Sequence, residues 1–292
     1  MKIAMLFNQR AGRGTSLGAL RQMLARAGHE VVRVIEHRDQ AAHLADPPAE
    51  LVVAAGGDGT FAAAARALAG SSIPLALLPI GTANNMAFTL GVDGPEEEIA
   101  AGWHTARRQP LDLGTVRGDW GTRRFVEGMG GGLVEACMRT IQKRPVGSDE
   151  PPPRQVARAL RRYLNTLARL QPRAWKFAVN GAWRSGEFLL VEVLNAAAVG
   201  PNLELDPRAS TSDGQLTVVT AAEAHRDMLA TYLADRLAGR DSLLQLPSEP
   251  ATQVELVTPH PLHIDDALVD ASMMPLSIEV EPAAVTVLMP PA

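Results

Sequence analysis

Leu51-Val52-Val53-Ala54-Ala55-Gly56-Gly57-Asp58-Gly59-Thr60 sets the grammar of this chain. Five apolar residues without polar alternation read as a strand buried on both faces of a parallel sheet. Phe61 to Ala69 follows and is rich in alanine, the strongest helix former. The glycines between therefore turn a strand into a helix, where backbone amides and the positive helix end can face an anion. Glycine lets those amides approach phosphate oxygens because no Cβ intervenes. Asp58 would repel a phosphate unless a cation stood between them, and Mg²⁺ is the simplest such cation. Thr60 is placed to cap the helix or to touch a phosphate. The plain alternative is a glycine turn with Asp58 as its cap.

The following strand repeats the design. Leu75-Ala76-Leu77-Leu78 ends in Pro79-Ile80-Gly81-Thr82-Ala83-Asn84-Asn85, a second polar, glycine-bearing turn that opens a short helix. Two such turns on successive strands are expected to converge at one sheet edge, where ligands of open α/β sheets bind. A third glycine turn, Asn8 to Gly14, ends the strand Lys2 to Phe7. Arg10 and Arg13 either add positive charge at a nucleotide or are simply solvated.

The GGDGT turn followed by P-I-G-T-A-N resembles the diacylglycerol kinase catalytic family, which includes sphingosine kinases and small bacterial lipid kinases. Asn8-Gln9-Arg10-Ala11-Gly12-Arg13-Gly14 is similar to that family's opening N-P-x-(S/A)-G-x-G turn, with Gln9 in place of proline. Leu111-Asp112-Leu113-Gly114 resembles its D-L-G strand, and Pro207 to Leu216 its P-x-A…D-G-x-L segment. The chain departs from the pattern at Ala62 and Ala63, where the family has Asn-Glu, and at Asn85, where it has aspartate. Ala267 in Ile264-Asp265-Asp266-Ala267 holds the glutamate slot of a D-G-E motif.

The resemblance implies an N-terminal Rossmann-like α/β nucleotide-binding domain and a β-sandwich lipid-binding domain, with the site in the cleft between them. Residues 1–116 with 282–292 would form the first, and 117–281 the second. It implies an ATP- and Mg²⁺-dependent lipid kinase acting on a hydroxyl of a diacylglycerol-like or sphingoid lipid. Nucleotide contacts fall to Asn8, Gly12, Gly56, Gly57, Asp58, Gly59, Thr60, Gly81, Thr82 and Asn84. Asp265, with Asp266 beside it, becomes the candidate catalytic carboxylate, a surface role for both being the alternative, and Asp58 serves at the phosphates. Asp213 is the candidate ligand of a divalent cation, with Ser210 and Gln215 as carbonyl donors; an Asp-Gly turn that needs no metal is the alternative. Two other functions stay open: a relative that binds nucleotide or lipid without turnover, and an NAD kinase, which also uses GGDGT.

The 292 residues suggest about two domains. With 46% hydrophobic and 21% charged residues the chain can bury a core and is not of a disordered class. A net charge of −4 gives no general case for binding nucleic acid. The single cysteine, Cys137, excludes an intramolecular disulfide and suits a reducing compartment. No stretch reaches the ~18 apolar residues of a membrane span, and Met1 to Phe7 is too short for a signal peptide, so a cytoplasmic protein is expected.

Thr15 to Ala27, Asp39 to Ala45 and Glu96 to Ala106 read as further helices and Glu30 to Ile35 as a strand. From Leu111 the grammar changes to strands joined by turns: Leu111 to Val116, Arg123 to Glu127, Ala174 to Asn180, Glu187 to Asn195 and Gln215 to Thr220. Asn180-Gly181 is a hairpin signal. Gly128 to Gly132 reads as a glycine turn before a helix, Leu133 to Gln142, its glycines either allowing close packing, the favoured reading, or facing a substrate. His225 to Leu237 is a helix, and Gln253 to Thr258, Leu262 to Ile264, Leu276 to Val280 and Val285 to Met289 are strands. Arg154 to Lys176 carries seven basic residues, no acid, and Val156, Leu160, Leu164, Leu167 and Leu170 at helical spacing. Such a helix either meets anionic lipid at a membrane surface or packs one face and solvates the other. His260 and His263 lack the spacing of a metal site and read as incidental. A homodimer is a further open expectation.

Overall fold

The computed structural model describes residues 1–9, 14–36, 38–44, 49–143, 150–272 and 274–290. Gly12, Arg10 and Arg13 lie outside the described residues. The chain divides into two compact units, Met1–Asp112 with Pro282–Ala292, and Leu113–Glu281.

The first unit alternates strand and helix. β1 (Lys2–Phe7), α1 (Leu17–Arg26), β2 (Glu30–Ile35), a 3₁₀ turn (Arg38–Leu44), β3 (Leu51–Gly56), α2 (Asp58–Leu68), β4 (Leu75–Pro79), α3 (Asn85–Thr89) and α4 (Glu96–Gly102) follow in order. The sheet order is β2-β1-β3-β4, all parallel, and the last strand of the chain adds beyond β4 through Val287 and Leu75. Ile3, Met5, Phe7, Val53, Ala55, Ala76 and Leu78 bury one face with Leu20 and Leu24 of α1 and with Ala100 and Trp103. Ala62 and Ala63 are buried within α2, where a small side chain lets helix meet sheet. α4 is shorter than its acidic start suggests: it stops at Gly102, and Arg107 already begins β5 (Arg107–Gly118).

His29 ties the end of α1 to α4. Its Nε2 donates to the Ala100 carbonyl at 2.8 Å, and its ring stacks on His104 at 4.5 Å. Burial, with the nearby His104, holds His29 below the ordinary imidazole value, although the Ala100 bond opposes this. A histidine depressed in the folded state contributes stability that is complete above the unfolded value, about 6.5, and is lost as pH falls below it. Thermal melts are expected to show the wild type losing more stability between pH 7 and 5 than His29→Gln.

The second unit is a β-sandwich with a helical layer on one sheet. β6 (Gly121–Phe125), β7 (Gly128–Gly132), α5 (Leu133–Lys143), α6 (Pro152–Leu167), β8 (Arg173–Val179), β9 (Ala182–Phe188), β10 (Leu190–Leu194), β11 (Ala198–Val199), β12 (Leu203–Glu204), β13 (Leu216–Ala221), α7 (Arg226–Leu237), β14 (Ser248–Ala251), β15 (Gln253–Val257), β16 (Leu262–Ile264), β17 (Ala267–Val269) and β18 (Leu276–Met289) complete the chain. One sheet runs β14-β13-β10-β7-β16-β17; the other pairs β18-β15-β8-β9, with β5 joined to β18 and to β6. Val191, Val193, Val218, Met129 and Ile264 of the first meet Phe125, Trp175, Phe177, Val254 and Ile278 of the second. The other face of the first sheet, through Leu190, Leu194 and Val219, packs on Leu133 and Cys137 of α5, Leu160 and Tyr163 of α6 and Leu229 of α7.

Several sequence expectations change here. Gly128 to Gly132 is no turn but a fully buried strand at the centre of a sheet. A Cβ at Gly130 would lie 2.2 Å from the Val191 carbonyl oxygen, and one at Gly131 would lie 2.6 Å from the Trp175 ring. Glycine is thus selected by close approach, and a strand made of it has no side-chain periodicity to read. Glu187 to Asn195 splits into β9 and β10, because Gly181 starts its hairpin partner at Ala182. The two C-terminal strands are one, β18, bent at Ala283 with φ +51. The basic helix ends at Leu167, since Pro172 follows and Arg173 to Lys176 belong to β8. Its apolar stripe is occupied: Leu160 and Leu167 are core, with Val156 and Leu164 packed against it. Among the described residues no helix is long and apolar enough to cross a membrane.

Candidate active site

Parallel strands end on the same side of a sheet, so the turns after β1, β3 and β4 share one edge. Phe7 is in register with Ala55, and Gly56 with Pro79. Asn8 continues this edge by donating its amide to the Ala55 carbonyl, 3.1 Å, and Ile80 donates to Gly56, 3.1 Å. The two glycine turns touch directly. A Cβ on Gly81 would sit 2.3 Å from the Gly57 Cα and 2.9 Å from its nitrogen. Residues 56–60 and 81–84 therefore form one continuous surface.

That surface is braced from within. Asn84 adopts a left-handed conformation, φ 54, which asparagine tolerates. Its Oδ1 accepts from the Gly81 amide at 3.1 Å, and its Nδ2 donates to the Gly81 and Pro79 carbonyls. Asp58 links the turns: its Oδ1 accepts from the Met86 amide at 2.9 Å, at the start of α3. Burial pushes the Asp58 carboxyl above its ordinary value, partly offset by the backbone amides of 84–86. Thr60 does not cap α2; it is buried and its hydroxyl lies over Gly56. The N-cap is Gly57, which has no side chain to cap the helix. The start of an 11-residue helix, with glycine as its N-cap and half-buried glycines beside it, fits an anionic ligand.

A second polar cluster stands at one end of the helix-covered sheet in the sandwich unit. Asp265 and Asp266 form the tip of the β16–β17 hairpin, with Asp265 at φ 48. The Asp265 carboxylate accepts the amides of Val126 (3.0 and 3.1 Å), Glu127 (2.9 Å) and Gly128 (3.4 Å), while its own amide donates to the Gly128 carbonyl. Asn195 and Ala196 donate their amides to the Glu127 carbonyl, and Asn195 Nδ2 donates to Val126. Asp265 is buried within this clasp, whereas Asp266 is exposed. The expectation that His263 is incidental is corrected. It is buried, its Nε2 lies 2.8 Å from Glu192 Oε2, and its Nδ1 lies 3.2 Å from the Asp265 carbonyl. Glu192 and His263 are far apart in sequence, so only the sheet register could have revealed the pair.

The Pro207 to Leu216 loop is an Asp-Gly turn. Asp213 Oδ1 accepts the Gln215 amide at 3.0 Å, Ser210 Oγ accepts the Ser212 amide at 3.3 Å, and Gly214 has φ +72. Among the described residues no three His, Cys, Asp or Glu side chains gather as a metal cluster.

The chain thus pairs an α/β unit whose glycine turns meet at one sheet edge with a β-sandwich unit, the frame of a two-domain α/β plus β-sandwich protein. Residues 2–116 match the model of the diacylglycerol kinase catalytic domain, and residues 151–289 that of the YegS C-terminal NAD kinase beta sandwich-like domain. Residues 2–116 are a diacylglycerol kinase catalytic domain, and the chain is a kinase of lipids. It is 26% identical over 310 residues to a diacylglycerol kinase of Mycobacterium tuberculosis (strain CDC 1551 / Oshkosh), covering 99% of this chain and 95% of the relative. A probable lipid kinase, YegS-like, of Pseudomonas aeruginosa (strain UCBPP-PA14) is 29% identical over 244 residues, covering 82% and 76%. The crystal structure of a diacylglycerol kinase from Bacillus anthracis str. Sterne shares the fold, with a TM-score of 0.75 at 21% identity over 99% of this chain and 97% of that one. The kinase domain implies ATP as the phosphate donor.

Proposed function

We propose that the chain transfers the terminal phosphoryl group of ATP to a hydroxyl of a diacylglycerol-like or sphingoid lipid. The observation that carries this reading is the direct contact of the Gly57 and Gly81 turns, which joins two phosphate-binding candidates into one surface. Gly56, Gly57, Gly59 and the start of α2 present backbone to the phosphates, with Asn8, Thr82 and Asn84 along the same edge. Asp58 is the one carboxylate on these loops, so Mg²⁺ would be held by it and by the phosphates themselves, as this cation commonly is. Bound there, it would offset charge on the transferring group.

On the acceptor side we assign the catalytic carboxylate to Asp266. Asp265, which the register of the motif favours, is committed to three amides and fixes the tip that carries its neighbour. A carboxylate that takes or orients the hydroxyl proton contributes about 10² to 10⁴ in rate. A cation at Asp213 would use that exposed carboxylate with the carbonyls of Ser210 and Gln215. Contact with anionic lipid through Arg154, Arg161 and the rest of that helix would be electrostatic, because the apolar stripe is already packed.

The test is radiolabelled ATP with Mg²⁺ offered to diacylglycerol, a monoacylglycerol, sphingosine and NAD in parallel. Label in a lipid that disappears in Asp58→Ala is the expected result. Label in NAD alone, or nucleotide binding with no labelled product, rejects it.

A further inference from the structure

Glu192 and His263 sit on strands that are not neighbours. Glu192 of β10 pairs with Gly130 of β7, and His263 of β16 pairs with the same Gly130 from the other side. Two side chains separated by an intervening strand meet at 2.8 Å because that strand has no side chain between them. A Cβ on Gly130 would lie 2.5 Å from Glu192 Oε2. Both residues are buried, on the sheet face covered by the helices. A paired carboxylate and imidazole in an apolar core is costly unless hydrogen bonded, so its presence there asks for a reason.

The second imidazole nitrogen supplies one. A carbonyl only accepts, so His263 Nδ1 carries a proton and donates it to the Asp265 carbonyl. The chain of bonds then runs Glu192, His263, Asp265 main chain, Asp265 carboxylate, and the amides of 126–128. We propose that Glu192 and His263 are positioning residues that lock the Asp265-Asp266 tip, and that the lock is held only while the pair keeps two protons. This rests on the reading of Asp266 as the acceptor-side carboxylate.

One proton lies on Nδ1 and the other is shared between Nε2 and Glu192. When the second leaves, the remaining proton cannot serve both ends of the ring. Drawn to Nε2 by the Glu192 carboxylate, it leaves Nδ1 without the proton it donates to Asp265. Burial disfavours the imidazolium, but the Glu192 charge and hydrogen bond outweigh it, so His263 titrates above its ordinary value. Burial pushes Glu192 up as well, against the pull of His263. Among the described residues, Tyr163 of α6 faces Glu192 and Asp265 faces His263, while Cys137 of α5 and Glu127 before β7 lie beside Tyr163. Burial raises Tyr163 well above its usual range and Cys137 to about 12, so neither competes for the proton near neutrality.

The experiment compares Glu192→Gln, Glu192→Leu and His263→Gln with the wild type in full-length protein. A glutamine at 192 can donate to Nε2 and leave the Nδ1 proton in place at every pH. Wild-type kcat for lipid phosphorylation should therefore fall on the alkaline side, and Glu192→Gln should flatten that limb while keeping most activity. Glu192→Leu and His263→Gln should lower kcat by up to about 10²-fold, the cost of a displacement near 1 Å, with KM for ATP within twofold. Hydrogen exchange at the 126–128 amides should quicken in those two variants and not at 56–60. Unchanged exchange at 126–128 in both, or an alkaline limb that survives Glu192→Gln, overturns the lock. If exchange responds as expected but the wild type labels no lipid, the kinase reading fails and takes the catalytic half of the proposal with it.

Discussion

Gly81→Ala is expected to destabilise the protein by about 2–3 kcal/mol and to weaken ATP binding at least about tenfold. The added methyl would sit 2.3 Å from the Gly57 Cα and 2.6 Å from Asn84 Oδ1. The nearest obstacle is backbone, which cannot swing aside as a side-chain end does, so the two turns must part. Overpacking of a tight site typically costs ~1–3 kcal/mol, and contact with main chain puts this case toward the upper end. Separating the turns also strains the Asn84 bonds to Gly81 and the Asp58 bond to Met86. Gly57→Ala is milder, since its nearest contact is 3.2 Å. Gly102→Ala near the end of α4 meets nothing within 4 Å and serves as the control, neutral or slightly stabilising. Calorimetric melts and ATP titration of the three variants check the order. Equal ATP affinity in Gly81→Ala and wild type would separate these turns from the nucleotide.

Asp265→Ala and Asp266→Ala are expected to fail in opposite ways. Removing the Asp265 carboxylate strands three amides and places alanine at φ 48, a left-handed conformation it disfavours. A hydrogen bond to a charged group contributes about 1.5–3 kcal/mol, so a loss of roughly 3 kcal/mol or more follows. Activity falls with it, through the fold. Asp266 is exposed, so its alanine variant should melt within about 0.5 kcal/mol of wild type. Its lipid phosphorylation should nevertheless drop by about 10² or more, with nucleotide affinity kept. Urea melts beside kcat measurements distinguish the two. A fully active Asp266→Ala would move the catalytic role elsewhere on the rim.

The first unit was legible because its signals are local. An apolar run, a glycine turn and an alanine-rich helix occupy consecutive residues, and each dictates the next. Asn180-Gly181 was legible for the same reason: both residues take positive φ and join β8 to β9. Where structure depends on partners distant in sequence, the signal vanished. Gly128 to Gly132 looks like a turn because glycine favours turns. Its strand state comes from β10 and β16 on either side, some 60 and 130 residues further along the chain. His263 seemed incidental because its partner, Glu192, lies 71 residues away. The motif marks Asp265, but not that its carboxylate accepts the amides of 126–128, which lie 137–139 residues away. Asn84 is a mixed case, since its position in the nucleotide turn was clear but its bracing of Gly81 was not.

The last strand has an implication for how the molecule is made. Val287 pairs with Leu75, and Asp112 Oδ1 accepts the Ala283 amide at 2.7 Å, so the N-terminal unit is finished by residues 282–289. On the ribosome, the strands that carry the glycine turns emerge first, but their outer neighbour emerges last. Until residues 282–289 follow, β4 presents an unpaired edge to the nascent-chain surroundings. The delay spans the entire second unit, so the four parallel strands of the first unit gain their fifth neighbour only after residues 113–281 have been made.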